Sequence, residues 1–309
     1  MSLAAEERKK SDRKASWLPL SWGSLWLGIR DHWMLIALIL VLASDFIDLP
    51  RWRRIIVTNV LFLGVLLLLL AVSMARRKTV LQALLGRFDQ ALRWNRWLCW
   101  IPGYGGSLEG WILLEAGRYS EAQAATKPLA FDKHGNPRLA NWQLLYYAMA
   151  LSHQGKGAEA QDLLEAALRL KPKIGRFHLG LADCLLEQGK DPETARALLE
   201  QVQANWQEES DTSGRRAKQA LREARYAFAL AGCAGRVEAI LHMLQASAGS
   251  ATFISRDRAW LRYYAGETWR ALGDTEKARA AFEEASELHP YGQVGQRSQN
   301  RLLETGKPV

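Results

Sequence analysis

The chain has 309 residues, enough for two ordinary domains, with 41 Lys+Arg against 32 Asp+Glu and 49% hydrophobic residues. Its basic excess is uneven: residues 1–78 carry 12 Lys+Arg and 6 Asp+Glu, net +6, which leaves 29 against 26, net +3, for residues 79–309. A nucleic-acid binder would carry the excess on its main body, so nucleic acid is not an expected partner, and three widely spaced cysteines give neither a disulfide framework nor a metal site.

Residues 1–32 read as a basic tail followed by a Trp-rich segment. The tail is charged and poor in bulky apolar residues. From Trp17 to Arg30 the composition changes, with Trp17, Trp22 and Trp26 among Leu and Ile, and Trp33 follows closely. Tryptophan favours the boundary between headgroups and acyl chains, so this segment is expected at a membrane interface; packing on the protein's own body is the alternative.

Residues 33–78 are expected to form a transmembrane helical pair, 33–49 and 55–75. The second stretch, IIVTNVLFLGVLLLLLAVSMA, has 21 residues and no charge. It would extend about 31 Å as a helix, close to the hydrocarbon thickness of about 30 Å. The first reaches only about 25 Å and carries Asp45 and Asp48 near its end, so a short span and a re-entrant helix both remain open. A signal peptide is a poor alternative, because the region after the apolar core offers no small-residue cleavage site. Trp52 and three arginines lie in the short linker, Arg51, Arg53 and Arg54. Outside the pair stand Arg13, Lys14, Arg30, Arg76, Arg77, Lys78, Arg87 and Arg93, eight against three. The positive-inside rule then places the main body of an integral protein on the cytoplasmic side of a bacterial-type inner membrane; the reverse orientation would clamp the linker inside.

Residues 79–102 are expected to be an amphipathic connector helix, with Leu81, Leu84, Leu85, Phe88 and Leu92 at helical spacing and Trp94, Trp97 and Trp100 three apart. It suits a helix on an anionic bilayer and equally a cap over the next element. Pro102-Gly103-Tyr104-Gly105-Gly106 then breaks the chain. It lacks the Lys-Ser/Thr ending of a phosphate loop.

Residues 103–292 divide into five stretches of similar pattern: 103–136, 141–174, 175–208, 220–253 and 259–292. The turn glycines Gly117, Gly155 and Gly189 stand 38 and 34 residues apart. Within 175–208 the turn Gly189-Lys190-Asp191-Pro192 holds one extra residue, and 220–253 replaces the turn with Cys233-Ala234-Gly235. The clearest copy is the last. It carries Gly266, Trp269, Gly273-Asp274, Ala278, Phe282, Ala285 and Pro290. These residues describe two antiparallel helices joined by a tight turn, with small residues at the close approach and aromatics between. Residues 293–309 are left as a tail.

On those residues the chain resembles the tetratricopeptide repeat family. The resemblance implies an all-α solenoid of about five helix-turn-helix repeats, here behind an N-terminal transmembrane hairpin, with a concave surface that binds a protein or peptide. The first helix of each repeat would line it, displaying Tyr104 and Trp111, then Trp142, Leu145, Met149 and His153, then Arg176, Leu179, Asp183 and Glu187, then Trp260, Tyr263, Glu267 and Arg270. Relatives that clamp a C-terminal carboxylate use paired Lys, Asn and Arg there; Leu145, Met149, Leu179 and Asp183 depart from that pattern. Trp142, Trp260 and Tyr263 are the expected anchors, with burial inside the wall as the alternative for each.

No catalytic constellation is visible. The six histidines show neither HExxH nor HxxxH spacing, and adjacent acids such as Glu283-Glu284 point apart on a helix. The expected function is therefore non-enzymatic: a membrane-anchored scaffold or adaptor without cofactor or metal, touching lipid through its N-terminal region and protein through its groove. A homo-oligomer is compatible with this reading. The alternatives are a structural subunit of a larger membrane machine and, more remotely, an enzyme using Asp45 or Asp48.

Overall fold

The computed structural model describes residues 51–99, 106–138, 142–205, 215–233, 235–248 and 250–305. The expectations for 1–50, including Trp17, Trp22, Trp26, Trp33 and the span 33–49, lie outside them, as do Trp100 and Tyr104. The described residues form α-helices, and the one extended pairing among them is the bridge between Phe131 and Pro137.

Helix α1 spans Arg51–Leu84 and α2 spans Phe88–Cys99. Five hairpins follow: α3 (Gly106–Glu115) with α4 (Tyr119–Ala130), α5 (Trp142–His153) with α6 (Gly157–Leu170), α7 (Gly175–Gln188) with α8 (Pro192–Asn205), α9 (Arg215–Gly232) with α10 (Arg236–Ser247), and α11 (Ser255–Ala271) with α12 (Thr275–Leu288). A last helix, α13, spans Gln293–Thr305.

One turn recurs. In α11–α12, Gly273 sits at φ +81°, its N–H bonds to Arg270 O at 3.1 Å, and Asp274 N–H bonds to Trp269 O at 2.9 Å. This crossed pair satisfies the orphan carbonyls at the end of a helix and needs a left-handed residue. The same pair closes the turns at Gly117, Gly155 and Gly189. The extra residue in the Gly189 turn is Asp191, at φ +44°, whose side chain accepts from Thr194 N before Pro192 opens α8.

The pattern residues pack as the spacing predicts. Ala278, Phe282 and Ala285 are fully buried, as are Ala148, Ala160, Leu164 and Ala167 three hairpins earlier in the wall. Successive hairpins pack on one another through α4 and α5, α6 and α7, α8 and α9, and α10 and α11, and the first helices α3 and α5, α5 and α7, and α9 and α11 also meet, so apolar clusters follow one another along the stack.

Two expectations are corrected. Residues 79–102 are not one connector helix: α1 runs through 79 to Leu84, and Gly86, at φ +75°, closes the same crossed pair through Ala83 O and Gln82 O. The end of α1 and α2 thus form a further hairpin ahead of the five. Phe88, Ala91 and Leu92 pack on Ile112 and Leu113, while Leu98 packs on Val72 and Ala75. Of the connector tryptophans, Trp94 is partly buried beneath Lys78, whose Nζ lies 4.2 Å from the ring centroid, and Trp97 is exposed. The second correction is the tail, because 293–305 is helical and packs inside the curve of the solenoid.

The run 55–75 lies within α1, with Val60, Leu63, Leu67 and Leu68 exposed. Among the described residues no helix is long and apolar enough to cross a membrane. Several side chains of that run, and that of Trp52, lie outside the described residues.

Candidate functional site

The stack curls until its ends meet. Helix α13 contacts α3, the first helix of the first hairpin, as well as α11 and α12. Inside the curl lies a cavity of about 880 Å³ whose lining comes from α3, α5, α7, α9, α11 and α13, with Val202 of α8 and the turn before α7. A volume of this size falls in the range of ligand sites.

Four buried ion-pair systems hold the curl closed. Arg256 binds both oxygens of Glu115, 141 residues away, with Nε to Oε2 at 2.9 Å, and also reaches Asp257 at 2.7 Å. Burial alone would push the Glu115 carboxyl up, but Arg256 outweighs it and holds it below the ordinary carboxylate value. Arg225 donates to Asp183 at 2.7 Å and lies over the Tyr264 ring. Glu267, at 1% exposure, accepts from Tyr263 Oη at 2.8 Å, Arg270 Nη2 at 2.6 Å and Arg301 Nε at 2.6 Å. Without their arginines, Glu115, Asp183 and Glu267 would each be stranded in the interior.

The fourth system is the most extended. Arg297 of α13 donates to Glu187 Oε1 at 2.8 Å, and His153 Nδ1 lies 3.0 Å from Glu187 Oε2. Gln293 Nε2 meets His153 Nε2 at 2.6 Å, and Gln296 Nε2 donates to Ala116 O at 3.3 Å. The contacts fit the Nδ1–H tautomer of His153. Burial raises the Glu187 carboxyl, yet Arg297 and His153 prevail and bring it down to about 2. Tyr119, tilted against His153 with ring centroids 4.8 Å apart, is pushed up to about 12, chiefly by burial.

Across the cavity from α13 the wall is aromatic and apolar. Trp142 is 49% exposed, stacks on Tyr146 at 6.1 Å, and carries the Arg176 guanidinium 3.4 Å above its ring. Such a cation–π contact stabilises by about 0.5–2 kcal/mol and holds the indole in place. Leu145, Met149 and Leu179 line the same space.

Of the fourteen residues expected in the groove, Trp142, Leu145, Met149, His153, Arg176, Leu179, Asp183, Glu187 and Trp260 line the cavity, Trp111 packs against a core cluster, and Tyr104 lies outside the described residues. Trp260 is 7% exposed, packed against Tyr263 and Tyr264, so only an edge reaches the space. Tyr263 and Glu267 sit within the wall behind it, and exposed Arg270 serves Glu267 from outside. His178 turns back to Ile174 O and does not join His153. Sequence reasoning missed Glu115, Arg225, Arg256, Tyr264 and Arg297. Arg225 could have been found by extending the first-helix register to α9; nothing local marks Arg297. Among the described residues no His/Cys/Asp/Glu group is arranged to hold a metal ion.

Tetratricopeptide repeat family models match residues 151–212 and 261–290. No curated protein matches the chain. Among solved structures, a chain of the crystal structure of the APC/C hetero-tetramer Cut9-Hcn1 is similar, with a TM-score of 0.52 at 13% identity, over 75% of this chain and 42% of that one. At that identity the likeness is one of fold, and this chain spans less than half the length of its neighbour. The chain thus contains tetratricopeptide repeats within an all-helical solenoid.

Proposed function

We propose that this protein is a non-enzymatic scaffold that receives a segment of another protein in the cavity of its curled solenoid, and that α1 anchors it in a membrane. The carrying observation is the cavity itself: about 880 Å³, lined by Leu145, Met149 and Leu179 together with half-exposed Trp142. A rigid tryptophan beside apolar side chains is the composition of a protein-binding hot spot. The likeness to a subunit assembly supports the same reading.

The anchor rests on the uncharged 21-residue run of 55–75, carried on one unbroken helix that exposes Val60, Leu63, Leu67 and Leu68. An apolar stripe of that length left in water would be an aggregation liability, whereas lipid covers it. Arg76, Arg77 and Lys78 at its end favour the cytoplasmic side for the repeats.

Photo-crosslinking in native membranes tests the reading. A photo-reactive residue at exposed Lys173, on the cavity rim, is expected to capture one recurrent protein, and Trp142→Ala is expected to abolish that capture. A probe at Leu244, exposed on the outer helix α10, is expected to miss it. Equal capture from both positions, or capture unaffected by Trp142→Ala, would remove the cavity from the function.

A further inference from the structure

We infer that the occupant of the cavity is an acidic segment of a partner protein, an inference that rests on the scaffold reading above and names its ligand class. Six cationic side chains line the space, Lys173, Arg176, Lys218, Arg225, Arg256 and Arg297, against three carboxylates, Glu115, Asp183 and Glu187. Each of those carboxylates is already bound by one of the arginines. The lining as a whole is therefore positive, and it is positive inside a concave, partly apolar enclosure, where field lines are focused rather than dissipated in water.

The position of the charges narrows the ligand further. Arg225, Arg256 and Arg297 stand on α9, α11 and α13 and each holds a lining carboxylate, while Lys173, Arg176 and Lys218 stand in the turn before α7, on α7 and on α9. Trp142 carries Arg176 over its ring, and Leu145, Met149 and Leu179 line the same space. A segment alternating carboxylates with apolar side chains matches both features, setting acids toward the cations and apolar groups toward the apolar lining. The chain's own N-terminal residues 1–16 do not suit it: with five basic and three acidic residues they carry net +2 and meet like charge.

The test uses the full chain in detergent micelles and three fluorescent eight-residue peptides in which Leu alternates with Glu, Gln or Lys. Anisotropy titration is expected to show the Glu peptide binding at least about tenfold tighter than the Gln peptide, with the Lys peptide weakest and the Glu affinity falling with added salt. Lys173→Glu combined with Lys218→Glu, both at exposed positions that leave the core intact, is expected to weaken the Glu peptide at least about tenfold. Arg176 is left in place so that Trp142 keeps its stacking partner. A Lys peptide that binds as well as the Glu peptide, or an unchanged affinity in the double charge reversal, overturns the acidic assignment. If Trp142→Ala still displaces whichever peptide binds, the scaffold reading survives that result. Binding of no peptide overturns the inference too, and the membrane crosslink then decides the scaffold reading separately. Should Trp142→Ala instead dissociate an oligomer in mass photometry, a second copy is the occupant and the assignment to an acidic partner falls.

Discussion

Gly266 stands mid-way along α11, where a Cβ would lie 2.6 Å from a ring carbon of Phe282. Two effects oppose one another at this position. Helix propensity favours alanine by about 1 kcal/mol. Overpacking a filled core costs about 1–3 kcal/mol, and Phe282, at 0% exposure, has no room to withdraw. The clash wins. Gly266→Ala is expected to lower stability by about 1 kcal/mol or more in urea unfolding, while Gly175→Ala, with nothing within 4 Å, stays within about 0.5 kcal/mol. A stabilised Gly266→Ala would mean that α11 and α12 do not approach so closely. Residues of this kind were legible in the sequence because they pack within one hairpin, where spacing alone places Ala278, Phe282 and Ala285 against Gly266. Trp142 and Trp260 were not distinguishable by the same means. Both occupy first helices, and what separates the exposed ring from the buried one is the neighbouring Tyr263, Tyr264 and Arg297.

Helix α13 shows where that legibility ends. Its sequence, QVGQRSQNRLLET, holds few apolar residues, and its partners Glu187, His153 and Ala116 lie 110, 140 and 180 residues away. No short window contains both sides of such contacts. The turn at Gly86 escaped for another reason: its hairpin shares the turn geometry but begins inside a helix that the apolar run dominates. Truncation after Gly292 removes Arg297 and Arg301, leaving Glu187 without its arginine and Glu267 with Arg270 alone. Breaking a buried pair in this way costs about 3–5 kcal/mol. The truncated chain is expected to melt at lower temperature than Arg297→Met, with faster hydrogen exchange in α7 and α11. Unchanged melting would make α13 a bystander to the closure.

At the scale of the whole molecule, carboxylates tie together hairpins that are distant in sequence, and this makes the curl sensitive to acid. Glu187 titrates near 2 in the folded protein against an ordinary value of 4.5. A folded value below the unfolded one gives stability that is complete above about 4.5 and is lost as pH falls toward about 2. The shift corresponds to a contribution on the order of 3 kcal/mol at neutral pH. Glu115 and Glu267 are lowered as well and act in the same direction. Stability measured by denaturant titration is expected to decline through that window, and Glu187→Gln to start lower at pH 7 and decline less steeply. Parallel pH profiles for the two proteins would show that this carboxylate does not fasten the curl. The unbroken run of α1 from the apolar stretch into the hairpin closed by Gly86 has a further consequence. With its lower part held in lipid as proposed, the helix is a mast and the curl is a flag fixed to it without a swivel. Residues 76–84 add only about 14 Å of mast, so altitude and compass bearing are both set by one rod. A partner is met at a single height and from a single heading, and proteins standing close to the same bilayer are the ones that pass there.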